Sequence, residues 1–344
     1  MKAVYFENHG ELDVLKYGDL PDPEETPGHA IVKVKAVALN HLDIWVRKGW
    51  SGLNLDLPHI GGSDISGEVV SVNGANTNLS KGDRVIVNPG INTIQDKWTR
   101  NGEGSVSPGY KIIGEQLKGG MAEYVSVPVQ NLFKIPDGIS FAEAAAPILV
   151  GMTAWRMLVK RAELQAGQTV LIVGAGGGVN SISIALATAM GAEVFALTSN
   201  EDKMLKAQSL GAKHVINYKD NPKWAVEILK LTKGNGVDVV VDNVGVATFD
   251  QSIRAVARGG KIVTVGNTSG FNISFDNRFI FSKQISLIGS TMGSAQDFID
   301  VMEFIWSQNI PPIIDRVESL KDGIDMFKYL EKGEQFGKII LEPR

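Results

Sequence analysis

The sequence predicts an α/β protein of two domains. One is mostly β, over residues 1–136 and completed by residues 309–344; the other is a doubly wound parallel-sheet domain over residues 137–308. Three observations carry this. The chain has 344 residues, more than one average domain needs. Its first third is dense in short β-type runs separated by glycine, proline and asparagine, the pattern of strands joined by turns. Its middle changes to β-type runs separated by helix-length segments, and such alternation builds a parallel sheet.

Taken in order, strands are expected at Lys2–Phe6, Ala30–Ala38, Gly67–Val72, Arg84–Asn88 and Ala122–Val127. Ser140-Phe-Ala-Glu143 has the spacing of a capping box, so a helix is expected to start there and run to Lys160. Six further strands are expected at Thr169–Val173, Glu193–Leu197, His214–Asn217, Val237–Val241, Lys261–Val265 and Ile285–Gly289. Ser181 to Ala192 is apolar and rich in small residues, which fits a buried helix. From Ile310 a strand, a helix over Leu320–Glu331 and a last strand, Lys338–Leu341, are expected to return to the first domain.

Composition narrows the function. Apolar residues make up 44% and charged residues 21%, ordinary for a soluble globular protein. With a net charge of −4 and a pI near 5.8, nothing argues for nucleic acid or an anionic membrane as partner. The chain has no cysteine, which excludes disulfides and thiolate metal sites and is compatible with a cytoplasmic protein. The N-terminus, MKAVYFENHG, lacks a signal-peptide core. No uncharged apolar run reaches the roughly 18 residues of a membrane span. A small-molecule substrate is the expected partner.

The strongest motif is Leu171-Ile-Val-Gly174-Ala175-Gly176-Gly177-Gly178-Val179-Asn180. Glycines let the backbone turn sharply and bring its N–H groups against a pyrophosphate, while the helix that follows supplies partial positive charge. A glycine cluster alone is weak evidence. Here it follows a β-branched strand and precedes a helix that leads into the next strand at Gly191-Ala-Glu-Val, so it predicts a dinucleotide site. The usual spacing places glycine where this chain has Asn180, which makes the turn atypical. An NAD site normally carries an acid at the end of the second strand for the ribose hydroxyls. This chain has Thr198 and Ser199 there, with Lys203 one helical turn on. Hydroxyls and a cation suit a 2′-phosphate, so NADPH is expected in preference to NADH. Tyr218, after the third strand, is a candidate to stack on the adenine, or a rim residue.

Several stretches in order resemble the medium-chain dehydrogenase/reductase superfamily. They are Ala38-Leu-Asn40-His41-Leu-Asp43-Ile-Trp-Val-Arg47-Lys-Gly49, Gly62-Ser63-Asp64-Ile-Ser-Gly67-Glu-Val, Gly82-Asp83-Arg84-Val, Gly119-Gly-Met-Ala-Glu123-Tyr124-Val, Gly151-Met-Thr153-Ala154-Trp155 and Phe336-Gly337-Lys338. The superfamily includes zinc alcohol dehydrogenases and zinc-free, zeta-crystallin-type quinone reductases. The resemblance implies a GroES-like catalytic domain, a Rossmann domain and a homodimer or homotetramer, with the sixth strand pairing across the dimer.

Zinc members carry cysteine, histidine and cysteine at the catalytic site, with glutamate beside the histidine. Those positions are Asn40, Ser63 and the Leu149/Val150 region here, with Asp64 as the acidic neighbour, so no catalytic zinc is expected. The family's structural lobe uses four cysteines; at that spacing stand Thr93, Asp96, Thr99 and Ser107, and no structural zinc is expected either. A shifted site built from His41, His59, Asp43 and Asp64 is a weaker alternative to His41 meeting the cofactor and His59 packing beside a turn. The resemblance also places Thr153 near the nicotinamide, Asn243 and Gly245 at the ribose, and Val265, Gly266, Asn267, Gly289 and Ser290 at the carboxyl ends of the last strands.

Without a Lewis acid, hydride transfer to an isolated carbonyl is hard. A conjugated acceptor needs only hydrogen-bond donors and a proton at the developing oxyanion. The leading expectation is thus an NADPH-dependent reductase of quinones or α,β-unsaturated carbonyls, with Asn40 donating where zinc would sit. Asp43 is expected to orient neighbouring groups, and Asp64 to pair with Arg47. Trp45 and Trp50 are candidates to line the pocket, and Ser63, Tyr110 and Tyr124 to donate a proton. The alternatives are an alcohol/aldehyde dehydrogenase, an enoyl-thioester reductase and a non-catalytic NADPH-binding protein.

Overall fold

A computed structural model describes residues 1–74 and 78–344. The N-terminal part contains β1 (Lys2–Phe6), β2 (Lys16–Asp19), β3 (His29–Ala38), α1 (His41–Lys48), β4 (His59–Ile60), β5 (Asp64–Asn73), β6 (Arg84–Val87), β7 (Gly90–Asn92), α2 (Lys97–Arg100), β8 (Tyr110–Ile112), β9 (Tyr124–Pro128), β10 (Leu132–Lys134) and α3 (Phe141–Ala145). The largest sheet runs β10-β6-β5-β3, and β9 also pairs with β3. On β3, Ala30, Val32, Val34 and Ala36 are buried, as are Val37 and Ala38 at its end. β5 starts at Asp64, earlier than the apolar pattern suggested, because its polar first residues Asp64 and Ser66 are themselves buried and hydrogen-bonded. Gly67 is required inside it: a Cβ there would lie 2.2 Å from the Lys33 carbonyl of the adjacent strand.

The middle contains α4 (Ile148–Trp155), β11 (Thr169–Val173), α5 (Gly178–Ala189), β12 (Glu193–Thr198), α6 (Glu201–Ser209), β13 (His214–Asn217), α7 (Trp224–Leu231), β14 (Val237–Asp242), α8 (Phe249–Ala255), β15 (Val256–Thr264), α9 (Asn277–Lys283), β16 (Ser286–Gly289) and α10 (Ala295–Ser307). The six strands are all parallel, in the order β13-β12-β11-β14-β15-β16. This is the doubly wound order whose reversal point, beside β11, is where ligands bind. The central strands are continuous apolar runs because both faces are covered; Val170 to Val173 are 0–1% exposed.

The expected helix from Ser140 is interrupted. Ser140 and Glu143 do form a reciprocal capping box, but α3 ends before Pro147, which has no N–H to donate. α4 continues into a π-helical turn at Arg156–Arg161. By length and composition Phe141–Arg161 could cross a membrane, yet 78% of its apolar window is buried within the protein, as in a core helix.

The tail supplies β17 (Ile314–Ser319), α11 (Gly323–Glu331) and β18 (Lys338–Glu342). β18 pairs antiparallel with β3, and β17 parallel with β18. The compact units are Met1–Leu149 with Ser294–Ile299 and Pro312–Arg344, and Val150–Gly293 with Asp300–Pro311. The change of unit therefore falls at Leu149, later than the sequence pattern placed it, because Ala145 and Ala146 pack with Ala36, Ala38 and Ile340 of the first unit.

Candidate functional site

In the second unit, β11 turns into α5 through Gly174, whose φ of +84° favours glycine. The Ala175 N–H donates to the Leu197 carbonyl at 2.8 Å, tying the turn to β12. Gly177 is the N-cap of α5. Its φ of −72° suits any residue, and a Cβ there would meet nothing nearer than the Gly174 carbonyl at 4.0 Å. Protein packing therefore does not demand glycine at 177. Open space beside the first-turn N–H groups of Gly178, Val179 and Asn180 is what a pyrophosphate requires. The residues present fit a dinucleotide.

At the end of β12, Thr198 is buried and its hydroxyl donates to the Asn200 carbonyl at 3.4 Å, while Ser199 is half-buried. Asn200 caps α6 through the Lys203 N–H. Tyr218 is exposed, and its N–H donates to the Thr198 carbonyl, so the two lie at the same sheet edge. After β14, Asn243 is hydrogen-bonded to Asn180 and Val265. Gly245 has a φ of +94°, and a Cβ would come within 2.8 Å of the Gly270 carbonyl, so backbone crowding explains this glycine. Gly266 accepts from the Thr264 hydroxyl, Asn267 accepts from the Gly270 N–H, and the Ser290 N–H donates to Thr264. A Cβ on Gly289 would meet nothing within 4 Å. Thr153 is buried, its hydroxyl 4.0 Å from the Met292 sulfur.

Sequence reasoning missed Asp242. It is fully buried, and its carboxylate accepts from the N–H groups of Val244 and Gly245 and the hydroxyls of Thr248 and Ser252. It holds the loop that carries Asn243. An acid ending an apolar strand, with hydroxyls six and ten residues on, was the available signal.

In the first unit, Asn40, Asp43, Ser63 and Asp64 are all buried. Asn40 precedes α1 in a reciprocal cap: the Asn40 N–H donates to Asp43 Oδ2 at 2.7 Å. Asp43 Oδ1 accepts from the Gly62 N–H at 2.9 Å. Asp64 accepts from the Leu149 N–H at 2.8 Å and from Asn40 Nδ2 at 3.0 Å. The expected partner of Asp64, Arg47, is elsewhere: it donates to Glu331 and to the Gly10 carbonyl, because α1 turns that side chain toward α11. The cation at Asp64 is Lys338, 2.9 Å away and 4% exposed. Its ammonium also donates to Asn40 Oδ1 at 2.5 Å and to the Leu39 carbonyl at 2.6 Å. All three of its N–H bonds are thus spent. These contacts assign the Asn40 amide, whose Nδ2 faces Asp64 and whose Oδ1 faces Lys338. In the sequence Lys338 is a charge at the head of an apolar strand, and nothing local names its partner.

Burial pushes the Asp43 carboxyl up to about 6 against its two backbone hydrogen bonds. Burial likewise raises Asp64, against the pull of Lys338. His59 is buried beside Phe6, with Nε2 3.4 Å from the Gly114 carbonyl, and burial lowers it to about 4, so it is neutral. His41 is exposed on α1, edge-on to Trp45. No three His, Asp or Glu side chains come together as a metal-holding set among the described residues. The donors at the catalytic zinc positions (an amide, a hydroxyl and an aliphatic chain) do not fit zinc. The Ser63 hydroxyl is buried and has no hydrogen-bond partner among the described residues.

The lobe between Asn88 and Gly114 is the β7–β8 hairpin and α2. Asp96 organises it. Its carboxylate accepts from the Trp98 and Thr99 N–H groups at 2.9 Å each and from the Ser107 hydroxyl at 2.8 Å, while Thr99 Oγ1 accepts from the Asp96 N–H. Thr93 donates to the Gly109 carbonyl. Asp96 thus bonds directly to two of the other three positions spaced like the family's cysteines, Thr99 and Ser107.

Residues 26–137 match the alcohol dehydrogenase GroES-like domain, and residues 178–307 match the zinc-binding dehydrogenase family. An NAD-dependent alcohol dehydrogenase of Sulfolobus acidocaldarius is 32% identical over 99% of both chains. A crotonyl-CoA reductase of Streptomyces avermitilis is 31% identical over 95% of this chain and 82% of its own. A crystal structure described as an NAD-dependent alcohol dehydrogenase superposes with a TM-score of 0.96 at 38% identity, covering all of both chains. With its GroES-like domain and Rossmann-like parallel sheet, the chain belongs to the medium-chain dehydrogenase/reductase superfamily and is an NAD(P)H-dependent oxidoreductase.

Proposed function

We propose that this enzyme reduces conjugated carbonyl compounds, either quinones or α,β-unsaturated carbonyls, with NADPH and without zinc. The observation that carries the reading is the donor set at the family's metal positions. Asn40 and Asp64 are saturated by one another and by Lys338, Ser63 offers a hydroxyl, and Leu149 offers an aliphatic chain and a backbone N–H already given to Asp64. The dinucleotide, when bound, supplies the hydride. The chain's own task is to hold the acceptor and stabilise charge on its oxygen. Asn40, with its amide turned to Asp64 and Lys338, orders the site instead of meeting the substrate. Ser63, whose hydroxyl has no partner among the described residues, is the donor proposed for the oxyanion. Relatives named crotonyl-CoA reductase support an enoyl thioester among the acceptors.

Support for NADPH comes from Ser199, just after β12, and Lys203, in the first turn of α6; an acid at the end of β12 would favour NADH. A second reading, alcohol or aldehyde oxidoreduction with NADH, is favoured by the names of the Sulfolobus relative and of the superposed structure. One experiment separates them: cofactor oxidation on quinones, enones, enoyl thioesters and simple aldehydes, on protein of measured metal content, with dissociation constants for both dinucleotides. Tighter NADPH binding and chelator-resistant turnover on conjugated acceptors are expected. Equal or tighter NADH binding would remove the NADPH assignment; chelator-sensitive turnover on simple aldehydes would remove the rest. The proposal extends to a homodimer or homotetramer, supported by the exposed edge strand β16, and to a cytoplasmic location, with which the cysteine-free sequence is compatible.

A further inference from the structure

Asn180 departs from the dinucleotide fingerprint, in which that position is a glycine that lets helix and strand pack closely. The side chain is 6% exposed, so it is not merely tolerated at the surface. Its Nδ2 donates to the last carbonyl of β11, Val173, at 2.7 Å and to the Gly174 carbonyl at 3.0 Å. Its Oδ1 accepts from Asn243 Nδ2 at 2.8 Å. Asn243 Oδ1 in turn accepts from the Val265 N–H at 2.8 Å. Donors and acceptors run one way along this ladder, which fixes both amides. The ladder crosses the carboxyl ends of β11, β14 and β15, three neighbouring strands, at the edge where the fold binds its ligand.

We propose that Asn180 is a positioning residue for the dinucleotide, locking the glycine-rich turn to the loops after β14 and β15. The need is physical. Gly174, Gly176, Gly177 and Gly178 lie within five residues, and glycine loses more freedom on ordering than any other residue. A turn that must order itself around a pyrophosphate loses affinity to that ordering; one already held does not. Asn180 holds it from inside by gripping the two carbonyls that enter the turn, so the N–H groups converge before the ligand arrives. Asn243 extends the grip to Val265. A glycine at 180 gives the same helix and strand without that grip.

The test uses the full-length enzyme and three variants, Asn180→Gly, Asn243→Ala and the double variant, each checked for a cooperative thermal transition. Asn180→Gly restores the fingerprint residue; if it does not fold, Asn180→Ser decides. Two readouts are made: the dissociation constant for the tighter-binding nicotinamide dinucleotide, and hydrogen exchange across residues 172–182 and 243–268 in the ligand-free protein. Loss of these hydrogen bonds is expected to weaken binding about tenfold in each single variant. It is also expected to speed ligand-free exchange in both segments. The double variant is expected to bind no more than about twofold more weakly than either single one, because one ladder is broken once. A folded Asn180 variant that binds within twofold of the parent with unchanged exchange overturns the proposal. So does full additivity in the double variant, which would make the asparagines independent.

Discussion

Asp43 is a carboxyl buried on the strength of two backbone N–H groups, with the nearby ammonium, Lys338, paired to Asp64. Burial wins, and its proton is held up to about pH 6. Between about 3.8 and 6 the unfolded chain has released this proton and the folded one has not, so the contribution of Asp43 to stability falls as pH rises through that window. In urea unfolding, Asp43→Asn, which cannot titrate, should gain about 2 kcal/mol relative to the parent on going from pH 4 to pH 7. A difference that stays flat with pH would show the carboxyl ionising normally. The family resemblance is what singles out Asn40, Asp43, Ser63 and Asp64 in the sequence, and the structure buries all four. Lys338 was not assigned, because the bond joining it to Asn40 spans 298 positions and leaves no local trace. The pairing of Asp64 with Arg47 failed for the same reason: helical spacing predicts the face of a residue, not the distant helix that meets it.

At the scale of elements, the lobe between Asn88 and Gly114 is organised by a carboxylate, that of Asp96. Asp96 is both the cap of α2 and the acceptor for Ser107 across the lobe. Its hydrogen bonds hold its pKa below the usual carboxylate range, so it stays ionised throughout the neutral range. Asp96→Ala should speed hydrogen exchange over residues 93–110, while a chelator leaves the parent's exchange there unchanged. A chelator-sensitive lobe would mean that a metal holds it after all. The strands and helices were readable wherever one period ran uninterrupted, as in β11 to β14. They were misjudged where chemistry cut across the period. Pro147 splits a helix whose apolar pattern is continuous, and polar Asp64 and Ser66 open a strand that the pattern began at Gly67.

At the scale of the molecule, β16 leaves one edge of the six-stranded sheet unpaired, with Leu287 42% exposed. Phe271, Phe275 and Phe281, in the segment before it, are exposed too. Open edges and apolar patches of this kind invite pairing with a second copy. Ile288→Pro, which blocks ladder hydrogen bonds at that edge, should halve the mass seen by sedimentation if the proposed assembly is a dimer; an unchanged mass places the interface elsewhere. The two-part plan was legible because it changes the rhythm of the sequence. The position of the change was not, since α3 has the composition of either unit and only its packing on β3 assigns it to the first. The contribution of β18 has a consequence in time. During synthesis, β3 and the acids at 43 and 64 emerge nearly three hundred residues before the ammonium at 338 and the strand that covers them. For that interval two carboxyls must stay in water or keep their protons. The parallel sheet, whose strands end at residue 289, has all its partners first. The first part of this chain to be made is then the last to be finished.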